Sequence, residues 1–577
     1  MKVSDYIVDF LARKGVHVVF GYIGGMITHL VDSLGQSENV QYVQTYHEQT
    51  AAIAAEGYAL ESGRFGVAVC TSGPGVTNMM TGIADAYFGS VPVLFISGQV
   101  NTYEYKYDKP IRQQGFQEMD VVSVVKPITK YSVLLDQARD IRYELEKAVY
   151  IATHGRKGPV VIDLPMNISR AEIDPEKLRV YVPEADASSL IPAEAVHKLM
   201  EEAERPVLLV GGGCKGERTA KMLDRYLAAT GMPVVTSLMG RGLIDETYPN
   251  YVGMIGSYGN RCANMAVASA DLLIALGSRL DTRQTGTQYQ SFLKEGRIIH
   301  VDLDENELNC HRIENRLKVY ASVEDFLKEL ENKPVNNKDY TAWNDWIARL
   351  RKDYSQDREV ERFVSNKAPY RLFQRLNQLS EEGDAFTVDV GQNQMWAAQT
   401  LKLKNGQSFV CSGGLAPMGF AMPAAIGMAF ANPERKIWCI TGDGGFQISV
   451  QALLTIAQYH LNINVVVLNN AALGMITQFQ HLYFSDRMYG TTREGGFINP
   501  DIETMSRACY VPYLALREDT LSQWQRSEGP RLFDYVIDGL TTVNPKLEFN
   551  MPIDKPSPCL PEEEHREVMN LLKKERE

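Results

Sequence analysis

The chain has 577 residues, which exceeds the usual size of one domain and predicts two or three separate cores. Its 59 basic and 71 acidic residues give a formal net charge of −12, which argues against a nucleic-acid-binding protein held by bulk electrostatics. No apolar run approaches the roughly 18–20 residues that span a bilayer, so a membrane protein is not expected. An anionic ligand would therefore need local groups such as helix starts, an arginine or a metal ion.

The N-terminal segment MKVSDYIVDFLARKG predicts an amphipathic helix capped by Ser4, without the uninterrupted apolar core of a secretory signal. The eight cysteines are scattered and form no CxxC motif. Buried free thiols in a reducing cytoplasm are expected in preference to disulfides or a zinc site. We therefore expect a cytoplasmic protein.

Short apolar segments alternate with helical ones in three blocks, a pattern typical of mainly parallel sheets with helices on both faces. The predicted α/β domains are 1–170, 191–330 and 365–545, with a polar linker at 171–190. A charged helical stretch precedes the third block, and a tail, 546–577, ends in an exposed helix. The first and third blocks could share a fold, although no sequence repeat is visible.

The most informative segment is GDGG at 442–445, which is followed in the same block by Asn469-Asn470. Each cluster follows a strand candidate, KIWCIT or INVVVL, so both are expected at the carboxyl ends of parallel strands, where open α/β sheets bind ligands. Asp443, Asn470 and the carbonyl of Ala472 form an all-oxygen set, typical of Mg²⁺ or Ca²⁺ bridging to a diphosphate. The glycines let N–H groups approach phosphate oxygens at a helix start. A glycine-rich turn beside an incidental asparagine pair is the plainer alternative, and the combined spacing disfavours it.

This segment resembles the diphosphate-binding motif of thiamine-diphosphate-dependent enzymes, and nearly the whole chain is similar to the acetohydroxyacid synthase (acetolactate synthase) group. The resemblance rests on motifs in all three blocks: GYIGGM at 21–26, HEQTAAIAAEGYA at 47–59, TSGPGVTNMMTGIADAY at 71–87, GFQE at 115–118, KPITK at 126–130, SLMGRG at 237–242, GQNQMWAAQ at 391–399 and SGGLAPMGFAMPAAIG at 412–427. It implies thiamine diphosphate and Mg²⁺ as cofactors and aminopyrimidine-binding, central and diphosphate-binding domains in that order. It also implies a homodimer or dimer of dimers, because the family pairs the glutamate of the first domain with the metal site of the third across a subunit interface.

Glu48 matches the family's catalytic glutamate and follows the strand candidate QYVQTY at the start of an alanine-rich helix. In the family this carboxyl group shifts the protonation of the cofactor's aminopyrimidine ring, a task suited to a carboxyl whose pKa is raised by an apolar pocket. A glutamate at a helix start is otherwise a capping or dipole partner. Gly25 and Gln117 also match active-site positions of the family.

Further residues match positions that hold the cofactor. Met418 corresponds to the bulky apolar support beneath the bond between the cofactor's rings, where the alternative would be core filler. Asn393 stands where the family usually has His, and it can still donate to a phosphate. The resemblance assigns cofactor binding to Tyr22, Gly391, Gln392, Asn393, Ala416, Met418, Gly442, Asp443, Gly444, Gly445, Asn470, Gly474 and Met475.

The second block carries GGG at 211–213 directly after the strand candidate PVLLV, a turn that could admit a nucleotide's phosphates or ribose. A tight turn is the alternative. By resemblance, FAD, which has no redox role in the family's reaction, would bind at Phe116, Gly211, Gly212, Ser237, Leu238, Met239, Gly256, Gly277, Arg279, Asp281 and Asp302. Ser257-Tyr258 departs from the family's Met-His at the flavin ring, so vestigial or adenine-nucleotide binding is the competing hypothesis.

Arg283 matches the arginine that holds the carboxylate of the family's acceptor keto acid, a group that guanidinium grips bidentately. A surface salt bridge is the alternative. Lys126 matches a basic position near the entrance, and Ile476 and Phe479 fall in the acceptor pocket. Biosynthetic synthases mostly have Trp in place of Phe479, and the segment 112–114 is also unlike theirs.

Together these features predict decarboxylation of pyruvate and transfer of the two-carbon unit to a second carbonyl, most simply another pyruvate, giving 2-acetolactate. The same chemistry with a keto-sugar, phosphate or aldehyde acceptor stays open because of Phe479 and segment 112–114. A non-catalytic paralogue that uses the fold as a binding module is disfavoured by the intact Glu48, Asp443 and Asn470. No nucleic-acid or membrane partner is expected, and a small regulatory subunit is compatible with the sequence but not indicated by it.

Overall fold

The computed structural model of the chain describes residues 1–183, 189–332, 338–537, 539 and 541–574. It contains three six-stranded sheets in which every strand pair is parallel. Apolar clusters cover both faces of each sheet, and one of these clusters is shared by the first and third domains. The predicted fold class, three α/β domains, is confirmed. Part of the predicted linker, 184–188, and the end of the predicted tail, 575–577, lie outside the described residues.

The first sheet carries the N-terminal motifs. Its strands are β1 (Val18–Gly21), β2 (Gln41–Gln44), β3 (Gly66–Cys70), β4 (Val93–Gln99), β5 (Tyr131–Leu134) and β6 (Val160–Pro165). The helices are α1 (Val3–Arg13), α2 (Thr28–Gly35), α3 (Glu48–Ser62), α4 (Pro74–Gly89), α5 (Val121–Val125), α6 (Ile141–Thr153) and α7 (Met166–Ser169). The order β2-β1-β3-β4-β6-β5 places the topological switch point between β1 and β3.

The central sheet carries the GGG turn. Its strands are β7 (Pro206–Val210), β8 (Val234–Thr236), β9 (Tyr251–Met254), β10 (Leu272–Leu276), β11 (Arg297–Asp302) and β12 (Arg316–Tyr320). The helices are α8 (Ala193–Glu202), α9 (Glu217–Thr230), α10 (Arg261–Ser269), α11 (Thr282–Thr285), α12 (Glu305–Asn309) and α13 (Val323–Asn332), and the charged stretch forms α14 (Thr341–Asp353) and α15 (Gln356–Phe363). The order β12-β11-β10-β7-β8-β9 places the switch point between β7 and β10.

The third sheet carries the GDGG motif. Its strands are β13 (Ala385–Val388), β14 (Ser408–Cys411), β15 (Ile437–Gly442), β16 (Ile463–Asn469), β17 (Tyr513–Leu516) and β18 (Arg531–Val536). The helices are α16 (Ala368–Leu379), α17 (Gln392–Thr400), α18 (Ala421–Ala431), α19 (Asp443–Ile448), α20 (Ala452–Gln458), α21 (Gly474–Tyr483) and α22 (Ile502–Ala508), and the tail ends in α23 (Glu562–Lys574). The order is β14-β13-β15-β16-β18-β17, with the switch point between β13 and β15.

The first and third sheets share one topology, because the strand order 2-1-3-4-6-5 describes both when each is numbered from its own first strand. Apolar runs predicted the strands at the centre of all three sheets. The five strands they missed all lie at sheet edges: β5, β9, β12, β14 and β17. An edge strand has a neighbour on one side only, so it needs no long apolar run, and this explains why the sequence pattern overlooked them.

Helices α3 and α18 join the first block to the third. A Cβ on Gly57 would lie 2.2 Å from the carbonyl oxygen of Ala424, and a Cβ on Gly427 would lie 1.8 Å from that of Ala54. Glycine at these two positions therefore lets the helix backbones touch. Since α3 starts at Glu48 and α18 follows the loop that contains Met418, this contact sets the relative position of two site-bearing domains.

Two local expectations were wrong. Ser4 does not cap α1, which begins at Val3; its buried hydroxyl accepts a hydrogen bond from Ser33 at 2.9 Å. The terminal helix α23 is not simply exposed, because Trp346 donates to the carbonyl oxygen of Val568 at 3.2 Å. An amphipathic pattern alone showed neither contact, since both involve residues distant in the sequence.

The eight cysteines are all unpaired, and five are buried as expected. Cys310 and Cys559 are exposed, which corrects the expectation that the thiols are buried. Among the helices that the structure describes, none combines the length and apolarity needed to cross a membrane.

Candidate active site

The switch point of the third sheet forms a glycine-lined crevice. Gly391 follows β13 with φ +149°, and a Cβ there would lie 2.5 Å from Asn393 Oδ1. Gly444 follows β15, and a Cβ there would lie 2.9 Å from the terminal carbon of Met418. Only glycine keeps this space open beside the N-termini of α17 and α19. The structure thus brings Met418 to the diphosphate motif, as the resemblance implies.

Asp443 lies at the first turn of α19, almost fully buried. Burial raises the pKa of this carboxyl to about 7, although the N–H groups of Gly444, Ala471 and Ala472 stabilise its charged form. A buried carboxylate with no ammonium or guanidinium partner is costly unless a cation neutralises it. Asn499, which sequence reasoning missed, donates to Asp443 at 3.3 Å and to Asn469 at 2.8 Å and so links the two loops.

Asn470 and Gln392 converge on the start of α21. A Cβ on Gly474 would lie 2.0 Å from Gln392 Oε1 and 2.7 Å from Asn470 Nδ2. Gln392 donates to the carbonyl oxygen of Thr541 at 2.8 Å, while its buried Oε1 accepts no hydrogen bond from the described residues. Asn470 Oδ1 accepts from the N–H of Ala472 at 3.2 Å. The orphaned oxygen of Gln392 indicates a ligand group or water that donates to it.

The loop between β14 and α18 carries Ala416 and Met418, and a buried carboxylate holds its far end. Asp389 accepts hydrogen bonds from the N–H groups of Gly419 at 2.8 Å and Ala421 at 3.0 Å. Burial raises the pKa of Asp389 to about 6 against these donors. Sequence reasoning missed Asp389, although its place between a predicted strand and Gly391 was a usable signal.

Glu48 begins α3 and is 7% exposed. The helix is capped by His47, whose Nδ1 accepts from the N–H of Gln49 at 3.1 Å, so Glu48 is not needed as a cap. Its Oε2 accepts a hydrogen bond from Asn78 on α4 at 3.0 Å. Asn78, another residue that sequence reasoning missed, thereby orients the carboxyl group.

Gln117 lies beside the turn after β3 in a strained conformation, with φ +63°. A Cβ on neighbouring Gly73 would lie 2.9 Å from the carbonyl oxygen of Gln117. Glu118 holds this loop by accepting from the N–H groups of Lys106, Gln114 and Gly115 at 2.6–2.9 Å. Partial burial raises the pKa of Glu118, but these hydrogen bonds outweigh it and leave the pKa below its ordinary value.

Four predicted positions of the first block, together with the neighbouring Ile23, are open to solvent. Tyr22 and Ile23 are 40% and 48% exposed, and Gly25 has no atom within 4 Å of the position where a Cβ would stand. Phe116 is 78% exposed, and Lys126 is exposed at the start of the 3₁₀ turn after α5. The single chain therefore leaves these residues exposed.

Within one chain, Glu48 lies near the amino ends of the strands of the third sheet, and Asp443 lies at their carboxyl ends. Tyr46, two residues before Glu48, donates to Gln458 Oε1 at 2.9 Å, and Gln458 ends α20 just before β16 begins. Asn470 follows the other end of β16, about 20 Å away at roughly 3.3 Å per residue. The chain therefore presents two half-sites that do not meet within it.

A cavity of about 720 Å³ lies where the three domains meet, at the switch point of the central sheet. Eight of the predicted flavin residues line it: Gly212, Ser237, Leu238, Met239, Gly277, Arg279, Asp281 and Asp302. Gly211 and Gly256 lie behind this wall, where a Cβ would be 2.3 Å from Gly277 O and 2.4 Å from Arg283 O respectively. Phe116 does not line the cavity of its own chain.

The predicted acceptor residues lie between the central domain and α21. Arg283 extends over the ring of Tyr258 at 5.7 Å, and Tyr258 donates to Met475 Sδ at 3.3 Å. In the described part of the chain, no carboxylate pairs with Arg283, so the salt-bridge alternative has no partner there. Ile476 is 49% exposed at the start of α21.

Phe479, on α21, belongs to a cluster of four aromatic residues. We define this aromatic cluster as Phe479, Tyr483 and Phe484, at and just after the end of α21, and Phe549 from the tail. Its ring centroid lies 4.7 Å from that of Tyr483 and 6.1 Å from that of Phe549 in the tail. Lys546 Nζ lies 5.9 Å from the ring of Phe479. The cluster remains partly exposed.

Comparison with known proteins links this geometry to one enzyme family. Three models of thiamine pyrophosphate enzymes match the chain: the N-terminal TPP binding domain at residues 1–124, the central domain at 193–330 and the C-terminal TPP binding domain at 389–532. The acetolactate synthase isozyme 2 large subunit of Escherichia coli is 36% identical over 94% of this chain and 97% of its own. A probable acetolactate synthase large subunit of Methanocaldococcus jannaschii is 38% identical over 84% and 83%, and the Lactococcus lactis large subunit is 33% identical over 96% and 95%.

Proposed function

This chain belongs to the acetolactate synthase family of thiamine pyrophosphate enzymes, and we propose that it decarboxylates pyruvate and joins the resulting two-carbon unit to a second pyruvate, giving 2-acetolactate and CO₂. The observation that carries the proposal is the pair of half-sites, with Glu48 buried at the edge of the first sheet and Asp443 buried at the edge of the third. Bound thiamine diphosphate would supply the electron sink for breaking the carbon–carbon bond of pyruvate.

Mg²⁺ and a diphosphate fit the crevice of the third sheet. Asp443 has a buried carboxyl that a cation would compensate, and Asn470 and the carbonyl of Ala472 add neutral oxygens. The glycines at 391 and 444 keep backbone N–H groups accessible at two helix starts. In this proposal Met418 packs beneath the cofactor, and Gln392 accepts a hydrogen bond at its free oxygen.

Glu48 would hold and release the proton that controls the aminopyrimidine ring. Its carboxyl is oriented by Asn78 and is freed from helix capping by His47, so one oxygen is available to the cofactor. Gln117 would face the same space from its strained loop, and Gly25 would admit the substrate near Tyr22.

A homodimer, alone or paired into a tetramer, is part of the proposal because each chain presents half-sites that face away from one another. Apolar side chains stand exposed around both halves, including Ile23, Phe116 and Ile476. Pairing the first block of one chain with the third block of a partner would bury this surface and complete two equivalent sites.

FAD is proposed as the ligand of the central cavity. The volume of about 720 Å³ suits a large cofactor. The glycines that bring the turns after β7 and β10 into backbone contact leave room for phosphates at the switch point, and Asp302 ends β11 where it can accept from a ribose hydroxyl.

Arg283 would bind the carboxylate of the acceptor keto acid. It has no carboxylate partner in the described part of the chain, and it lies over Tyr258, whose hydroxyl donates to Met475 at the start of α21. A larger carbonyl acceptor such as a keto-sugar is the second candidate, favoured by the aromatic cluster with Lys546 at its edge.

Incubating the purified protein with thiamine diphosphate, Mg²⁺ and pyruvate alone separates the two. Release of CO₂ with an equal amount of acetolactate supports the first proposal. Release of CO₂ without acetolactate, followed by ligation when a keto-sugar or aldehyde is added, supports the second. Absence of CO₂ release contradicts both.

A further inference from the structure

Lys215 lies at the wall of the central cavity, two residues after the GGG turn. Burial lowers the pKa of its ammonium group, while the negative charge of Glu56 raises it. Within the described ranges, no carboxylate oxygen lies within ion-pair distance of Lys215. A partly buried cation at a cavity wall, with no ion-pair partner among the described residues, indicates an anionic ligand.

Two carboxyl groups lie directly behind the same wall. Glu56 on α3 and Asp85 on α4 are 3% and 2% exposed, and burial raises the pKa of both carboxyls. The charge and hydrogen bond of Asp85 raise the pKa of Glu56 further, whereas hydrogen bonds with Ser412 and Glu56 partly offset the shift of Asp85. A Cβ on Gly89, which lines the cavity, would lie 3.3 Å from Glu56 Oε1. Glu56 Oε2 and Asp85 Oδ2 are buried with no hydrogen-bond partner outside the pair. A proton shared between the two carboxyls would satisfy these oxygens.

Cys411 and Ser412 act directly on these residues, and Asp302, whose carboxyl pKa is raised by burial, lines the same cavity. Burial raises the pKa of the Cys411 thiol, the other titratable group near Lys215, to about 12. Arg283 acts on Cys411 and stays charged. Ser412 donates to Asp85 Oδ1 at 2.6 Å and is neutral.

We propose that Lys215 binds a phosphate or other anionic group of the ligand in the central cavity, and that this binding is coupled to uptake of a proton by the Glu56–Asp85 pair and Lys215. The proposed function gives no role to Lys215, to the Glu56–Asp85 pair or to a linkage between them. The inference rests on the proposed function only for its nucleotide probes.

The direction of the proton change follows from charge. Without a ligand, the ammonium of Lys215 favours the ionised form of the carboxyl pair. An anion at Lys215 offsets that effect, so the pair binds its proton more tightly, and it also favours the charged form of Lys215 itself. Both responses take up protons, so the ligand should bind more tightly as the pH falls toward the range in which these groups titrate.

The test is calorimetric titration of the protein, loaded with thiamine diphosphate and Mg²⁺, with FAD and separately with ADP. Each titration is done at pH 7 in two buffers of different ionisation enthalpy, Mops and imidazole, so that proton uptake is read from the difference in heat. We expect uptake of a fraction of a proton with at least one probe in the unmodified protein.

Three variants assign that uptake. Lys215→Met should weaken binding about 10-fold or more, as expected for a lost hydrogen bond to a charged group, and abolish the uptake. Lys215→Arg, which keeps the charge, should retain binding. Glu56→Gln should retain binding but reduce the uptake, because the shared proton is gone. Lys221→Met, an exposed lysine paired with Glu217 on α9, is the control and should change neither quantity.

Several results would overturn the inference. These are failure of both FAD and ADP to bind the unmodified protein, binding without proton uptake, or equal affinity and uptake in Lys215→Met while Lys215→Arg and Lys221→Met are folded by thermal unfolding. None of them bears on acetolactate formation, which the pyruvate assay measures separately.

Discussion

The first and third domains are built on the same strand order yet carry different chemistry at their switch points. At the edge of the first sheet stands the buried carboxyl of Glu48, held by Asn78. At the edge of the third stand an aspartate, asparagines and open glycines around Asp443. The fold supplies a position at the carboxyl ends of the strands, and in the proposed function the few residues placed there decide whether it handles a proton or a metal and diphosphate.

The two positions also differ in where they point. The contact between α3 and α18 holds the domains so that Glu48 approaches the amino end of β16, while Asn470 follows its carboxyl end. Each domain is complete as a fold, and neither is complete as a site. Repeating one fold within a chain thus allows two copies of the chain to pair unlike halves twice.

The largest effect on activity is expected from a change at Glu48, beside the first sheet. Glu48→Gln should lower acetolactate formation about 10²–10⁴-fold, the usual contribution of a positioned proton-transfer group, because the amide cannot deliver a proton. Thiamine diphosphate binding, followed by calorimetry, should persist. Glu305→Gln, a change at the exposed first position of α12, is the control and should leave the rate unaltered. Normal turnover in Glu48→Gln would show that Glu48 is not the proton-transfer group, and the proposed difference between the first and third sheets would not hold.

Changes beside the third sheet should impair the binding of metal and cofactor. Asp443→Asn should weaken Mg²⁺-dependent cofactor binding, while Asn499→Ala, which removes the donor that orients Asp443, should cost about 10–100-fold in metal affinity. Titration of Mg²⁺ at fixed thiamine diphosphate measures both. If Asn499→Ala left metal affinity intact, the link between the two loops would be structural only.

Arg283 tests the acceptor side separately from both edges. Arg283→Gln should lower acetolactate formation about 10–100-fold through loss of a charge-assisted contact to the acceptor carboxylate, with a rise in the KM for pyruvate. Release of CO₂ in the first turnover, which precedes transfer of the two-carbon unit to the acceptor, should fall much less. Equal loss of both products would place Arg283 at the donor step instead.

The contact between α3 and α18, which fixes the relative position of the first and third domains, should contribute to the stability of the protein. Gly427→Ala should destabilise the protein by about 1–3 kcal/mol, since its Cβ would overlap the backbone of α3. Gly35→Ala is the matched control at the end of α2, where no atom lies within 4 Å, and it should be neutral. Thermal unfolding compares them, and similar midpoints would show that the helices separate easily.

Sequence alone could predict the centre of each sheet and the motifs at its edges, because buried strands read as apolar runs and ligand-binding turns as glycine clusters. It did not predict edge strands such as β12 or β17, which need no continuous apolar run. Asp389, Asn78 and Asn499 were missed for a related reason. Their roles depend on hydrogen bonds between loops that are far apart in the sequence, and a polar residue in a loop carries no local sign of them.

The central claim, that one active site takes Glu48 from one chain and Asp443 from another, is tested most directly by complementation. Glu48→Gln and Asp443→Asn chains carrying different tags are co-expressed, and the mixed oligomer is purified through both tags. One site of a mixed dimer then carries both changes and the other carries none, so acetolactate activity should return to about half that of the unmodified enzyme. A mixed oligomer as inactive as either parent would show that each chain uses its own Glu48 and Asp443 together.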